Sequence, residues 1–231
     1  MVQTILKKIL FNRITALLLS KFMLKLHNLT YKLSAIFLTI LNGGVHPKHN
    51  IIQYEKWFYG NIKKDDVVID IGCNTGLVVE YLSNKAEYVY GIEINQSLVD
   101  QANLNINKPN VKFFCFDATT YDYSECRDIT VVTLSNVLEH IERRVEFLKN
   151  IIKQIPWGRG VQKKILIRVP MVDRDWITIY KKQIGAEYRL DKTHYTEYTY
   201  IQLKDELNKS NIEILSHHIQ YGELYAVCKA K

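Results

Sequence analysis

The chain from residue 67 onward alternates between short apolar runs and segments in which apolar residues recur every three or four positions. The short runs have the length and composition of buried strands, and the recurring pattern is typical of helices packed on one face. Strands are predicted over residues 67–69, 88–92, 111–116, 129–134, 165–169, 212–217 and 224–228. Helices are predicted between them over residues 77–83, 97–106, 145–155 and 201–208. Residues 171–200 show neither pattern, so we predict irregular structure there.

This order of elements predicts the fold class. Strands that alternate strictly with helices form a mostly parallel sheet with helices on both faces. The last two predicted strands are joined only by a short turn containing Gly222, which favours an antiparallel hairpin over another crossover. We therefore predict an α/β fold: a doubly wound, seven-stranded, mostly parallel sheet with a C-terminal antiparallel hairpin, preceded by N-terminal amphipathic helices.

Residues 5–41 have helical periodicity but no long apolar run. Apolar side chains fall on one side of the predicted helices at Leu6, Ile9, Leu10, Ile14, Leu17 and Leu18. Lysines interrupt the apolar stretches before they reach the ~18 to 20 residues that a bilayer-spanning helix needs. Residues 42–47, with two glycines and a proline, break the pattern, and a short helix is predicted over residues 51–59. We predict a basic amphipathic helical extension over residues 1–45 and the main domain over residues 46–231.

The net charge of +7 lies in the residues before Glu55, most of it in this N-terminal extension. No acidic residue precedes Glu55, whereas seven basic residues do: Lys7, Lys8, Arg13, Lys21, Lys25, Lys32 and Lys48. Because these lysines are interleaved with apolar residues, we expect residues 5–41 to pack partly on the main domain and partly against an anionic membrane surface. The alternatives for this segment are a substrate lid and an oligomer surface, and the oligomeric state is left open. The interleaving gives no strong nucleic-acid signal.

The chain contains four cysteines, which form no CxxC pair and have no zinc-ligand spacing. No segment resembles a secretory signal followed by a small-residue cleavage site. We therefore expect a cytoplasmic protein, which a membrane-binding extension would hold at the inner face of the membrane.

Three acidic residues follow successive strands at positions where a nucleotide could be held. Asp70 ends the first strand and is followed by Gly72 and Gly76, and a turn of this kind lets the backbone bend sharply and approach a ligand closely. Glu93 follows the second strand, where an acid accepts hydrogen bonds from ribose hydroxyls. Asp117 follows the third strand, where it could hold the exocyclic amine of an adenine. Together they predict a nucleotide-type site.

These residues carry a resemblance to class I, Rossmann-like, S-adenosylmethionine-dependent methyltransferases, which extends over residues 67–170. Residues 68–76 resemble the first motif of that family, and residues 135–140 resemble a later one. The resemblance implies S-adenosylmethionine as the cofactor. The implied cofactor-binding residues are Asp70, Gly72 and Gly76 for the methionine part, Glu93 for the ribose, Asp117 for the adenine, and Asn136 for the floor of the cofactor site. Their neighbours Cys73, Asn74, Ile94 and Ala118 are also implied.

One departure from the family pattern concerns Asn74, which stands where many members have glycine. The family tolerates this change. A dinucleotide-binding turn needs its second glycine because the pyrophosphate approaches the backbone there, so Asn74 argues against a dinucleotide site.

The catalytic candidates follow from the chemistry of methyl transfer. Displacement at a sulfonium requires an aligned acceptor and the exclusion of water, and an acceptor hydroxyl also needs a base. His140 follows the fourth strand, at the edge of the sheet where ligands bind. Residues 189–198, which include His194, and the preceding Asp173 offer groups suited to a polyhydroxylated acceptor such as a sugar. We predict His140, His194 and Asp173 as catalytic residues.

The segment Leu138-Glu139-His140 also resembles coenzyme Q O-methyltransferases and small-RNA terminal 2′-O-methyltransferases. In those families nearby glutamate and histidine side chains ligate a divalent metal. Asn136 stands where those families usually carry another glutamate, so we expect no metal here.

We therefore predict an S-adenosylmethionine-dependent methyltransferase that methylates an oxygen of a small molecule or of a surface-glycan sugar. Residues 43–49 and 191–199 resemble segments of enzymes of surface-polysaccharide pathways. Two alternatives stay open: a non-catalytic protein that binds the nucleotide or S-adenosylmethionine as the partner of an active subunit, and an RNA 2′-O-methyltransferase. Residues 135–138 read Ser-Asn-Val-Leu, so the Asp- or Asn-Pro-Pro-aromatic motif of amino-methylating DNA enzymes is absent.

Overall fold

A computed structural model describes residues 12–120 and 122–231 of the chain. The chain divides into two compact units between Ile52 and Gln53, whereas the predicted boundary lies between residues 45 and 46. Most of the predicted N-terminal helical region forms one continuous helix, α1 (Arg13–Leu41). Residues 5–11 of the predicted helical region lie outside the described residues. None of the described helices is both long enough and apolar enough to cross a membrane.

The helix predicted over residues 51–59 is interrupted. Helix α2 (Pro47–Ile52) ends before Gln53, and α3 (Tyr54–Gly60) begins after it. Gln53 has φ 49°, in the left-handed region. A residue in that conformation cannot continue a right-handed helix, so the backbone at Gln53 separates the two.

The main unit contains the predicted alternation of strands and helices. Its elements are β1 (Val67–Ile71), α4 (Leu77–Ser83), β2 (Tyr88–Glu93), α5 (Gln96–Asn105), β3 (Val111–Cys115), β4 (Val131–Ser135), a 3₁₀ turn (Leu138–His140), α6 (Arg144–Gln154), β5 (Lys164–Pro170), α7 (Trp176–Gln183), α8 (Tyr200–Lys209), β6 (Ile212–Gln220) and β7 (Glu223–Ala230). The predicted fold class is confirmed.

The seven strands form one sheet in the order β3-β2-β1-β4-β5-β7-β6. Strands β1 to β5 pair with one another in parallel, and β7 runs antiparallel to both β5 and β6. Successive residues of β1 point to opposite faces: Ile69 and Ile71 belong to one hydrophobic core, and Val68 belongs to the other. Both faces of the sheet are therefore buried, as a doubly wound arrangement requires.

Helix α7 was not predicted, and its apolar residues do not form a buried face. Trp176 at its start is 75% exposed, and the residues that the helix buries are Thr178 and Lys181. Asp175 caps the helix by accepting a hydrogen bond from the backbone N–H of Thr178 at 2.6 Å. The capping residue was present in the sequence, and so were apolar residues three and four positions apart at Trp176, Ile179 and Tyr180, so the prediction of irregular structure here was wrong.

Candidate cofactor and acceptor site

A cavity of about 550 Å³ opens where the sheet order reverses between β1 and β4. In open parallel sheets, ligands bind at this point beyond the carboxyl ends of the strands. The cavity is lined by Ile71, Gly72, Asn74, Ile92, Glu93, Ile94, Phe116, Asp117, Ala118, Thr119, Asn136, Val137, His140, Ile141 and Thr193. The structure therefore brings together the ends of the four strands β1, β2, β3 and β4, as the spacing of the motifs predicts.

Gly72 gives the turn after β1 its shape. Its φ is +74°, and a Cβ placed there would lie 2.6 Å from Cγ2 of Val137. The backbone N–H groups of Gly72 and Cys73 both donate to the carbonyl of Ile92, at 2.7 and 3.0 Å. A side chain at Gly72 would thus be blocked on one side while the turn is held to β2 on the other.

Asn74 and Glu93 are joined across this turn. The backbone N–H of Asn74 donates to Oε2 of Glu93 at 3.0 Å, and the N–H of Asn95 donates to Oε1 at 3.0 Å. Asn74 has φ 51°, and asparagine tolerates that region better than most residues, which is why it can replace glycine here. Each carboxylate oxygen of Glu93 has lone pairs beyond those two hydrogen bonds, so it can still accept from a ribose hydroxyl.

Three of the predicted cofactor residues lie behind the cavity instead of lining it. Asp70 is buried between β2 and β4 in the sheet and accepts a hydrogen bond from the Thr133 hydroxyl. Burial raises the pKa of Asp70 to about 7. Cys73 is buried, and Gly76, with φ +86°, has Ile106 2.6 Å from where its Cβ would be. These residues shape the turn, and the expected contact of Asp70 with the methionine part stays a prediction.

Asn136 provides a buried hydrogen-bond acceptor that has no donor in the cavity. Its backbone lies in the left-handed region with φ 56°, and its side-chain Oδ1 is buried without a hydrogen-bond partner. A buried acceptor without a donor costs about 1 to 3 kcal/mol, so a ligand that donates to it gains that much. The ammonium group of a bound S-adenosylmethionine is such a donor, and exposed Ile94 and Phe116 offer apolar contact to its adenine. The residues present therefore fit the cofactor.

His140 lies in the same cavity, at the end of the 3₁₀ turn that follows β4. Its Nδ1 lies 3.0 Å from the hydroxyl of Thr193, and that hydroxyl donates to Asp191 Oδ1 at 2.9 Å. Because the hydroxyl proton is used on Asp191, Nδ1 of His140 is the donor to Thr193 and Nε2 carries the free lone pair. Burial, with a smaller effect of His194, lowers the pKa of His140.

The loop that carries His194 is held against this turn. The N–H of Tyr195 donates to the carbonyl of Glu139 at 2.7 Å, and the rings of His140 and His194 meet edge to face with centroids 4.7 Å apart. Nδ1 of His194 lies 3.1 Å from the buried carboxylate of Glu197, which orients the ring. Glu197 also pairs with Arg174, so one buried carboxylate fixes the loop's position.

Glu139 was not among the predicted site residues. It is completely buried, both of its carboxylate oxygens are without a hydrogen-bond partner, and burial raises its pKa to about 8. One ligand atom from each of Glu139, His140 and His194 lies within 4.8 Å of the others. This donor set suits a divalent cation, although we expected no metal from the sequence. The expectation of no metal rested on Asn136, which stands where a further glutamate ligand is usual. In the structure, His194 adds a possible ligand from another segment of the chain.

Asp173 is the predicted catalytic residue that the structure does not bring into this group. It is exposed on the turn between β5 and α7 and is not among the residues that line the cavity. Its neighbour Arg174 instead contacts the loop that carries His194, because its guanidinium group pairs with the carboxylate of Glu197. His140 and His194 are brought together, and their catalytic role stays a prediction.

Comparison with known proteins finds similarity to methyltransferases. Residues 69–155 match the family model described as "Methyltransferase domain". An uncharacterized protein of Methanocaldococcus jannaschii is 31% identical over 96 residues, which cover 40% of this chain and 37% of that protein. A ubiquinone biosynthesis O-methyltransferase of Rickettsia bellii is 27% identical over 171 residues, which cover 71% of this chain and 68% of that enzyme.

A solved structure supports the fold. Magnesium protoporphyrin IX methyltransferase from Synechocystis, determined with bound S-adenosylhomocysteine, superimposes with a TM-score of 0.59 at 15% identity. The alignment covers 79% of this chain and 83% of that structure. The sheet order agrees with the Rossmann-like methyltransferase fold, residues 69–155 are similar to a methyltransferase domain, and the residues of the cavity fit S-adenosylmethionine as the cofactor.

Proposed function

We propose that this protein transfers the methyl group of S-adenosylmethionine to a hydroxyl oxygen of a small molecule, with a glycan sugar as one acceptor class. The observation that carries this proposal is that His140 and Thr193 line the same cavity as Gly72, Glu93 and Asn136. The imidazole of His140, which can accept a proton, therefore lines the cofactor cavity. The Rickettsia bellii relative is named for transfer to oxygen, which agrees with this proposal.

The residues of this chain have distinct tasks in such a reaction. Bound S-adenosylmethionine supplies an electrophilic methyl group on a positively charged sulfur. Asn136 Oδ1 would accept a hydrogen bond from the amino group of the cofactor, and Glu93 would accept one from its ribose. His140 Nε2 accepts the proton of the acceptor hydroxyl as that oxygen gains the methyl group. The products are the methyl ether, S-adenosylhomocysteine and a protonated His140, which returns its proton to water.

A divalent cation is a second way to activate the acceptor oxygen at the same place. The buried and unpartnered carboxylate of Glu139 supports it, as does the carboxylate of Glu197 behind His194. Metal-binding histidines typically donate their second ring nitrogen to a carboxylate in this manner. A cation held by Glu139, His140 and His194 would lower the pKa of a bound hydroxyl and remove the need for a base.

The first experiment tests whether the protein binds S-adenosylmethionine and transfers its methyl group. Calorimetry with S-adenosylmethionine and S-adenosylhomocysteine measures binding, and a labelled-methyl assay on sugars and on aromatic hydroxyl compounds measures transfer. We expect binding of both compounds and transfer to at least one acceptor class. Binding without transfer to any acceptor would support the non-catalytic alternative. Absence of binding would contradict the cofactor site itself.

The second experiment distinguishes activation of the acceptor by His140 as a base from activation by a bound divalent cation. The protein is dialysed against a chelator and assayed before and after Mg²⁺ or Mn²⁺ is restored. If a cation is required, activity is lost on dialysis and restored by the metal, and Glu139→Gln abolishes the rise in melting temperature that Mn²⁺ produces. If His140 acts alone, chelation leaves the activity unchanged.

A further inference from the structure

Helix α1 presents a continuous apolar stripe to its surroundings. At 100° per residue, an arc of about 140° around the helix contains only apolar residues apart from Thr15 and Thr30. The stripe consists of Leu18, Leu19, Phe22, Met23, Leu26, Leu29, Leu33, Ile36, Phe37, Ile40 and Leu41. All eleven side chains are exposed, and no residue of α1 is buried. With 29 residues the helix is about 44 Å long, so this is a large exposed apolar surface.

The charge beside the stripe has a single sign. Lys21, Lys25 and Lys32 fall within an arc of about 40° that adjoins one edge of the stripe. Helix α1 contains no acidic residue, and none occurs before Glu55. Long lysine side chains at such an edge keep their ammonium groups in water while their methylene stems cover apolar surface. The partner of this face must therefore be apolar where it meets the stripe and anionic where it meets the lysines.

A second copy of the helix satisfies only the first of these requirements. Residues 22, 26, 29, 33, 36 and 40 alternate in spacing by four and three, as the seam of a coiled coil does. In that register Lys25 and Lys32 occupy the positions that flank the seam, where stable pairs place opposite charges. No acidic residue of α1 is available to meet them. The stripe is also wider than the seam, because Leu18, Met23 and Phe37 lie outside it.

We propose that α1 binds in the plane of an anionic phospholipid surface. The stripe enters the boundary between headgroups and acyl chains, and Lys21, Lys25 and Lys32 contact lipid phosphates. The features of α1 match those of helices that lie in a membrane interface: a wide apolar face, a basic edge, and no apolar run long enough to span the bilayer. This inference concerns the N-terminal unit and does not depend on the proposed reaction.

The test is sedimentation of the full-length protein with vesicles of phosphatidylcholine alone and of phosphatidylcholine mixed with phosphatidylglycerol. We expect binding to the mixed vesicles that weakens at high salt, and little binding to the neutral ones. Replacing Lys21, Lys25 and Lys32 by glutamine lowers the partition coefficient roughly a hundredfold, since each lysine at a surface contributes about tenfold or less. The matched control replaces the exposed Lys149, Lys153 and Lys204 of the main unit, which changes the net charge equally and leaves binding unchanged.

A tryptophan probe tests which face of α1 enters the lipid. In Phe22→Trp the new indole lies in the stripe, and its emission shifts to shorter wavelength on binding to anionic vesicles. In Ser20→Trp the indole lies on the other side of the helix, and its emission does not shift. Equal binding to neutral and anionic vesicles, equal loss in both lysine variants, or no binding while the protein self-associates in analytical ultracentrifugation would each overturn the proposal. The last result would identify a second copy as the partner.

Discussion

The ring of His194 meets the ring of His140 edge to face at 4.7 Å, although the two residues come from different segments of the chain. His140 ends the 3₁₀ turn after β4, and His194 lies in the loop before α8. The backbone hydrogen bond from Tyr195 to Glu139 joins the two segments at 2.7 Å. This contact turns two separate motifs into one site beside the cofactor cavity.

We expect His140→Ala to lower kcat by roughly 10²- to 10⁴-fold, which is the usual contribution of a general base. The Kd for S-adenosylmethionine should change little, because in the proposed reaction His140 contacts the acceptor. Stopped assays and calorimetry measure the two quantities separately. His217→Ala, which removes an exposed histidine stacked on Tyr200, is the control and should leave kcat unchanged. A normal kcat in His140→Ala would exclude this residue from the reaction.

Asn136→Gly removes the unpartnered side-chain oxygen without straining a backbone with φ 56°, since glycine adopts that conformation freely. We expect the Kd for S-adenosylmethionine to rise roughly tenfold or more, which corresponds to the loss of one buried hydrogen bond. Asn211→Gly changes another asparagine with positive φ, 57°, outside the cavity lining. Calorimetry should find its Kd unaltered. Equal affinity in both variants would show that Asn136 does not contact the cofactor.

Gly72→Ala tests the close approach at the turn after β1. An added Cβ would lie 2.6 Å from Val137, so the turn must shift, and we expect a loss of about 1 to 3 kcal/mol in the free energy of unfolding together with weaker cofactor binding. Gly160→Ala has a similar φ of +69° but meets nothing within 4 Å. Denaturant melts should show a smaller loss for Gly160→Ala. Equal losses would mean that only the backbone conformation matters.

Asp70→Asn tests the buried carboxyl of β1. Burial raises the pKa of Asp70 to about 7, so the folded state binds a proton that the unfolded state has released between about pH 4 and 7. The stabilising effect of protonated Asp70 is present below its unfolded pKa and is lost as the pH rises through about 7. Asparagine remains neutral and can still accept the hydrogen bond from Thr133.

We therefore expect the free energy of unfolding of Asp70→Asn, measured relative to the unchanged protein, to increase as the pH rises from about 4 to 8. The upper limit of this change is about 4 kcal/mol, from a shift of about three pKa units. Urea melts at several pH values measure it. Exposed Asp100→Asn is the control and should show no such trend. A difference that is constant with pH would mean that Asp70 is ionised in the folded protein.

The sequence by itself determined the order of the seven strands along the chain, most of the helices between them, and the cofactor class. Periodicity in β1 and β2 reports how each segment hydrogen-bonds and which faces it buries, and these are local properties. Glu93, Asp117 and Asn136 each follow a strand, and parallel strands end at one edge of a sheet, so their convergence in the cavity was predictable.

Only the tertiary structure decided which side chains form the acceptor side. Asp70, Gly76 and Asp173 do not line the cavity, and ligand atoms of Glu139 and His194 lie within 4.8 Å of His140, which does. These features depend on packing between segments that are distant in the chain. Local periodicity contains no information about such contacts, because they arise only when the loop before α8 is held against the turn after β4 by the hydrogen bond from Tyr195 to Glu139.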